Sequence, residues 1–456
     1  MSAERWNRRR LRAAARAALR AGLAAADPAR LVRQHLILDG SRLRAAGVRC
    51  DLGRGRLALI AAGKAAGPMA RAAERVLGRH LGPALAVAPQ PEPAPRRVPL
   101  RVAGHPVPDA AGLEAAREVE RIAAALGPDD TLLLLVSGGA SALLPAPVRG
   151  LTLAHKQAVT RALLRAGSPI EELNAVRKHL SRLKGGQLAR LAAPARVVAL
   201  VLSDVVGDDL ATIGSGPTAP DPTSFADALA VLERRGVRAP EPVRRVLEQG
   251  AAGERPETPG PGSPLFRRVA HRIVGSNRLS LRAAEAEARR RGLRTLRLTS
   301  RLEGEAREVA RVLVAVLHEC AESGVPARAP VCLLAGGETT VSVRGTGRGG
   351  RNQELAVACA RALGRLPRHA VVASLATDGV DGDSDAAGGV VDDRSLARAA
   401  ARGLESPEAC LARSDSRAWL DGLGDLVITG PTGTNVVDLV LLLCGDRRSG
   451  PKPEDV

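Results

Sequence analysis

The sequence predicts two α/β domains, and three observations lead there. The first is the stretch Thr131 to Ser141, TLLLLVSGGAS, where an apolar run too short to span a membrane gives way directly to small residues. Such a run reads as a strand buried on both faces of a parallel sheet and ending in a turn. The second is repetition: apolar strand, turn rich in Gly, Ser, Asp, Lys or Arg, and helix recur in both halves of the chain, as α/β architecture requires. The third is length, because 456 residues exceed one simple core and make two domains the default.

Composition narrows the partners. Tyr is absent and Phe and Trp number two each, so the cores must be built from Leu, Val, Ala and Ile, and readers that stack nucleic-acid bases on aromatics are disfavoured. The net charge of +19 is almost all arginine, since lysine occurs only at Lys64, Lys156, Lys178, Lys184 and Lys452. Those arginines are spread along the chain, which reads as a solvated basic surface and not a nucleic-acid face. No stretch reaches ~18 uninterrupted apolar residues and no signal-peptide pattern is present, so a cytoplasmic protein with no membrane partner is expected. Cys50, Cys320, Cys332, Cys359, Cys410 and Cys444 lack C-x-x-C pairing and zinc-ligand spacing, which predicts reduced, mostly buried thiols.

Taken in order, the Arg- and Ala-rich start, RWNRRRLRAAARAALRAGLAAAD, has helical apolar spacing and reads as a structural first helix, despite its likeness to a transit peptide. GRLALIAAGKAAGPMARAAERVL follows as strand, turn and helix, with Lys64 where its ammonium can reach a phosphate at the strand ends. It is not a Walker A loop. The two prolines of GHPVPD fix an extended backbone around His105 and Asp109, read as a rigid loop, and a helix should run from about Asp109 to Ala125. The strand at Thr131 then ends in Ser137, Gly138, Gly139, Ala140 and Ser141, whose backbone N–H groups and hydroxyls make an anion cradle, with an ordinary tight turn as the rival reading. Farther on, Arg177, Ser181 and Lys184 fall at i, i+4 and i+7, a basic face that is either solvated or anion-binding. The strand ARVVALVL leads into Ser203, Asp204, Gly207, Asp208 and Asp209 and then the loop GSGPTAPDP, acids placed as ligand- or metal-facing groups are. Glu254 to Pro264, dominated by Pro and Gly, is the expected linker.

In the second half, RIVGSNRLS puts Ser276 and Asn277 at a strand end. GTGRGG, Gly345 to Gly350, mimics a dinucleotide fingerprint between the expected strand TTVSV and a helix. Its next strand-end acid, Asp378, is farther on than the ~20 residues such a site requires, and Arg348 and Arg351 suit polyphosphate better. DGDSDAAGGVVD resembles a calcium loop but carries Ala386 where glycine is required; Asp378 reads instead as a Mg²⁺-facing or proton-accepting carboxylate, with Asp381 supporting the turn. This inventory of cations, acids and glycine-rich turns at strand ends is what phosphoryl transfer uses.

The ordered motifs AAGKAA, GHPVPD, VSGGASALLPAP, NAVRKHLSRLKGGQLA, LSDVVGDDLATIGSGPT, VGSN, AGGETTVSVRGTGRGGRNQELA, ATDGVDGDSDAAGG and TGPTGTNVVDL resemble the class II glycerate kinases, a family sometimes labelled hydroxypyruvate reductase. The resemblance implies an N-terminal Rossmann-like α/β/α domain (1–253), and a smaller C-terminal α/β region (265–448) containing a MOFRL domain at about 328–445. It implies an active cleft between the two, and phosphorylation of D-glycerate, usually at the 2-hydroxyl, by ATP with Mg²⁺. An NAD(P)H-dependent hydroxypyruvate reductase is the alternative. Carried over by motif, Lys64 and Arg351 are the cations expected at the reacting phosphate and glycerate carboxylate. Ser137, Gly138, Gly139 and Ser141 would cradle phosphate or glycerate, with Arg177 as a further anion-binding residue. Asp204 and Asp378 would hold Mg²⁺ or accept the proton, while Asn277 and Glu338 would line the cleft. Neither Lys64 nor Arg351 is expected in a core, so replacing either should leave folding little changed. The resemblance leaves a homodimer open.

Overall fold

A computed structural model describes residues 6–447. Their contacts divide them into two units: one is 28–274, and the other joins the residues up to Asp27 to those from Gly275 onward.

In the first unit a small antiparallel meander, β1 (Leu36–Asp39), β2 (Arg42–Ala45) and β3 (Val48–Asp51), precedes a six-stranded sheet. The sheet contains β4 (Leu57–Ala62), β5 (Leu81–Ala88), β6 (Leu100–Val102), β7 (Thr131–Val136), β8 (Arg196–Leu202) and β9 (Val269–Gly275), in the order β6-β5-β4-β7-β8-β9. The four pairings β5/β6, β4/β5, β4/β7 and β7/β8 are parallel. Every residue of β4 and of β7 is buried, which explains why both read as unbroken apolar runs and not as alternating ones. Numbered within the sheet, the order is 3-2-1-4-5-6, the dinucleotide-fold arrangement whose connections reverse direction between β4 and β7. Small helix residues compensate for the scarcity of aromatics: Ala115, Ala116, Val119 and Ala123 of the helix Ala110–Ala124 pack on Ile60, Leu85 and Leu132. Asp109 starts that helix by accepting the N–H of Gly112 at 2.8 Å.

The Pro/Gly run expected as a linker is instead packed into this unit. Glu257 pairs with His179 at 2.8 Å and accepts the Phe225 N–H at 3.0 Å, while Thr258 donates to Asp221 at 3.1 Å. Proline removes backbone donors, and the polar side chains between the prolines supply anchoring that composition alone does not reveal.

The second unit is built on a mixed sheet ordered β10-β11-β15-β12-β13-β14, from β10 (Arg294–Leu302), β11 (Val331–Gly337), β12 (Arg368–Ala376), β13 (Gly388–Asp392), β14 (Leu426–Val427) and β15 (Asp438–Arg447). Only β10/β11 is parallel. The helices Ala306–Glu322 and Arg351–Gly364 share one core with this sheet. The helices Arg8–Ala25 and Asn277–Arg290 share another, where Leu11, Ala15, Ala18 and Leu19 meet Leu281, Ala284, Leu439 and Leu441. Arg12 fixes the first helix further, reaching Asp392 at 2.5 Å and Asp425 at 2.6 Å. The first helix therefore forms as its apolar spacing predicts, and the residues of its core come from the second half of the chain. The stretch TTVSV, expected as a strand, is irregular apart from a bridge between Thr340 and Glu305.

Candidate active site

In the first unit the candidates gather where the sheet's connections reverse. The turn after β4 and the turn after β7 are stitched together: Lys64 N–H donates to the Gly138 carbonyl at 2.8 Å and Ala65 N–H to Ser137 Oγ at 3.0 Å. Ser137 is accordingly buried, a tie between two turns and not an open cradle wall. Asp204, after β8, lies over Gly138 so closely that an added Cβ would fall 1.8 Å from its carboxylate oxygen. Gly139 has φ +87°, and a Cβ there would meet the His105 ring at 2.9 Å and Lys64 Cγ at 3.6 Å. Gly138 thus leaves room for an acid and Gly139 for an imidazole and a lysine stem, at the carboxyl ends of β4, β7 and β8. Gly138→Ala is expected to force Asp204 aside, costing roughly 1–3 kcal/mol of stability together with activity; a thermal melt unchanged from the parent counts against this packing.

Ser141 opens a second network. Its hydroxyl meets Ser215 Oγ at 2.8 Å, Ser215 donates to Asn174 Oδ1 at 2.9 Å, and the Arg177 guanidinium donates to the same oxygen at 2.9 Å. Arg177 Nε and Asn174 Nδ2 are buried donors with no acceptor among the described residues. Burial lowers the Arg177 pKa to about 10. Two further buried lysines stand behind the loop and donate to carbonyls: Lys156 Nζ to Pro145 and Leu180 at 2.8 and 3.2 Å, Lys184 Nζ to Leu144 at 2.6 Å. Burial and then Arg177 push the Lys184 ammonium down to about 7. The helical face Arg177–Ser181–Lys184 does not form, because the helix Ile170–His179 ends first. Ser181 and Lys184 are buried, so this is not a solvated stripe.

In the second unit the neighbours are fixed by strand register. Gly337, the last residue of β11, pairs with Asp438, the first of β15, and Asp438 also pairs with Ala376 at the end of β12. Glu338, Asp438 and Asp378 therefore issue from one edge of the sheet. Arg351, the first residue of its helix, is forked by Asp438 at 2.6 and 3.0 Å and held by Glu338 at 2.7 Å. Burial raises the Asp438 carboxyl to about 7, against the pull of that guanidinium. Asp381 secures the same helix start, accepting the N–H groups of Asn352 and Gln353 at 3.0 and 2.9 Å. Arg351 and Glu338 border a cavity of about 570 Å³ that Thr340, Gly347, Gly350 and Glu354 also line. Asn277 is buried, and its amide is spent on the carbonyls of Val436 and Asp438 at 3.0 and 2.7 Å; it shapes the β15 start.

The fingerprint GTGRGG follows no strand, and three of its backbone donors are taken by the chain itself. Gly347 N–H donates to Arg413 O at 3.2 Å, Arg348 N–H to Asp415 at 3.2 Å and Gly349 N–H to Asp383 at 2.9 Å. Those N–H groups are what a pyrophosphate would need. The calcium-like loop is likewise occupied internally, Asp385 by Arg417 at 2.7 Å and Asp383 by Gly349. Among the described residues no three His, Cys, Asp or Glu side chains gather as a metal site. Asp204 and Asp378, the candidate Mg²⁺ ligands, stand in different units. Neither belongs to a resident metal cage among the described residues.

Asn174, Ser215 and Asp438 were not singled out in the sequence. Ser215 stands in the Gly/Pro loop after the Asp cluster, and Asp438 is a lone acid between apolar runs, the mark of a buried partner. Asn174 sits in an ordinary helical pattern and carries no such signal.

Residues 14–248 match the family described as Domain of unknown function (DUF4147), and residues 331–438 match the MOFRL family. The chain is 42% identical over 388 residues to a D-glycerate 2-kinase of Thermotoga maritima, covering 85% of this chain and 90% of that protein. A protein of Agrobacterium vitis that carries the name of a hydroxypyruvate reductase is 42% identical over 86% of this chain and 88% of its own length. A crystal structure of a glycerate kinase from Thermotoga maritima superposes with a TM-score of 0.85 at 38% identity, covering 96% of this chain and all of that one. With the reversal-point turns, the sheet order and these likenesses in agreement, the chain belongs to the glycerate kinase family that joins a DUF4147 region to a MOFRL domain.

Proposed function

We propose that the chain transfers the γ-phosphoryl group of ATP to the 2-hydroxyl of D-glycerate. The observation that carries this is the placement of Lys64, Gly138, Gly139 and Asp204 at the reversal point of the sheet, where α/β proteins bind ligands, in a chain of the glycerate kinase family. Phosphoryl transfer is largely positioning plus neutralisation of charge. Lys64 supplies a flexible cation for the transferring group, and Arg351, whose nitrogens already reach Asp438 and Glu338, supplies its remaining N–H groups and its charge to a carboxylate or phosphate. ATP enters as its magnesium complex, a substrate; Asp204 and Asp378 are the carboxylates that would meet the ion. Arg177, with Ser141 and Ser215, offers donors for a second anionic group.

The reductase reading rests on GTGRGG and a relative's name, and the internal use of that loop's donors argues against it. Supplying D-glycerate with ATP and Mg²⁺, and hydroxypyruvate with NADH or NADPH, to one preparation tests both. Glycerate-dependent ADP release supports the kinase; loss of nicotinamide absorbance without ADP release would sink it.

A further inference from the structure

The rigid loop at His105 was left without a chemical role by the motifs, yet it ends against the same turn as Lys64. The ring edge carrying Nε2 and Cδ2 faces Gly139, whose missing side chain is what admits it: a Cβ there would stand 3.0 Å from Nε2. The flanking Pro106 and Pro108 restrict the backbone that presents it. The imidazole is only partly buried, and none of the described residues hydrogen-bonds to it. Its neighbours are informative. Lys64, on the β4 turn, is the charged group that acts on the ring. Asp109, on the same loop, is committed to Gly112. Asp204 lies over Gly138, the adjacent residue. A half-exposed imidazole held beside a cation, at an anion-binding turn, with its own nitrogen unspent, is placed as a proton acceptor is.

We infer that His105 is the general base of the transfer, receiving the proton of the glycerate 2-hydroxyl. This rests on the kinase reading above. In the step, the hydroxyl O–H bond breaks toward the imidazole, the oxygen pair forms the new bond to the γ-phosphorus, and the bond from phosphorus to the β–γ bridging oxygen breaks, its electrons leaving with ADP. The proton then passes from the imidazolium to solvent. Burial, and then the Lys64 charge, lower the imidazole pKa from its usual value. Both effects favour the neutral imidazole, the form that accepts a proton.

The test compares the parent, His105→Gln and His105→Ala by ADP release across pH, with thermal melts as a folding control. His105→Gln is expected to lose on the order of 10²- to 10⁴-fold in kcat, with KM for ATP changed by no more than a few-fold. The acidic limb of the parent's kcat/KM profile should vanish in both variants, and added imidazole should restore part of the turnover of His105→Ala. An active parent whose His105→Gln variant keeps kcat within tenfold, or keeps the acidic limb while Asp204→Asn loses it, overturns the inference alone. A parent that releases no ADP on glycerate overturns the kinase reading and the inference with it.

Discussion

Replacing Arg351 with Gln is expected to remove about 3 to 5 kcal/mol of transition-state stabilisation, a fall of roughly 10²- to 10⁴-fold in kcat/KM. Lys should rescue poorly, because Asp438 and Glu338 grip a fork that an ammonium cannot reproduce. Folding will not be spared, contrary to what the sequence alone suggests, since Asp438 is 3% exposed and Arg351 is its counterion. Without that guanidinium, the folded pKa of Asp438 rises farther above its unfolded value of ~3.9. Between those two values the folded state holds a proton that the unfolded state has released, so stability falls as pH rises through the window. The melting-temperature deficit of Arg351→Gln relative to the parent should therefore be larger near pH ~8 than near pH ~5.5. A deficit independent of pH would show that Asp438 finds another partner, and kcat within a few-fold of the parent would remove Arg351 from the catalytic set.

Lys64→Met should cost about as much in turnover, on the order of 3 to 5 kcal/mol, for a different reason and with a different stability signature. Met keeps the stem that packs beside Gly139, while the turn itself is held by the backbone bond from Lys64 N–H to Gly138, which the substitution leaves intact. Activity should fall with little change in melting temperature. A variant that loses both in parallel would mean that Lys64 braces the turn and does no chemistry. Steady-state kinetics alongside thermal melts on the two variants separate these cases.

The contrast expected between the variants turns on what the sequence could and could not reveal. Lys64 and the Ser137–Ser141 turn were legible because unbroken apolar strands announce a parallel sheet, and the chemistry of such a sheet sits at its strand ends. Ser137 and Asn277 were legible as strand-end polar residues but not as buried ties, because their bonds run to positions 72 and 159 residues away. Asp438 stayed silent for the same reason: its meaning depends on β15 entering the sheet between β11 and β12, which no local period encodes. The Pro/Gly run misled because its anchoring lies in Glu257 and Thr258 and in partners far back in the chain. TTVSV has strand composition, but apart from the bridge at Thr340 the backbone around it is irregular.

The placement of the first helix sets an order of events during synthesis. Residues Arg8–Ala25 are made more than 400 residues before Leu439 and Leu441, which cover their apolar stripe, and Trp6 N–H closes onto Asp446 across 440 positions. At roughly 5–20 residues per second the helix waits on the order of tens of seconds beside a ribosome, and an isolated helix of that size is marginal in water. Residues 28–274 can meanwhile gather their own core, so the nascent chain would complete its middle before its beginning. A fragment starting at Gly275 would leave Leu281, Ala284 and Leu439 without their cover, and supplying Arg8–Ala25 as a separate peptide should make it more soluble.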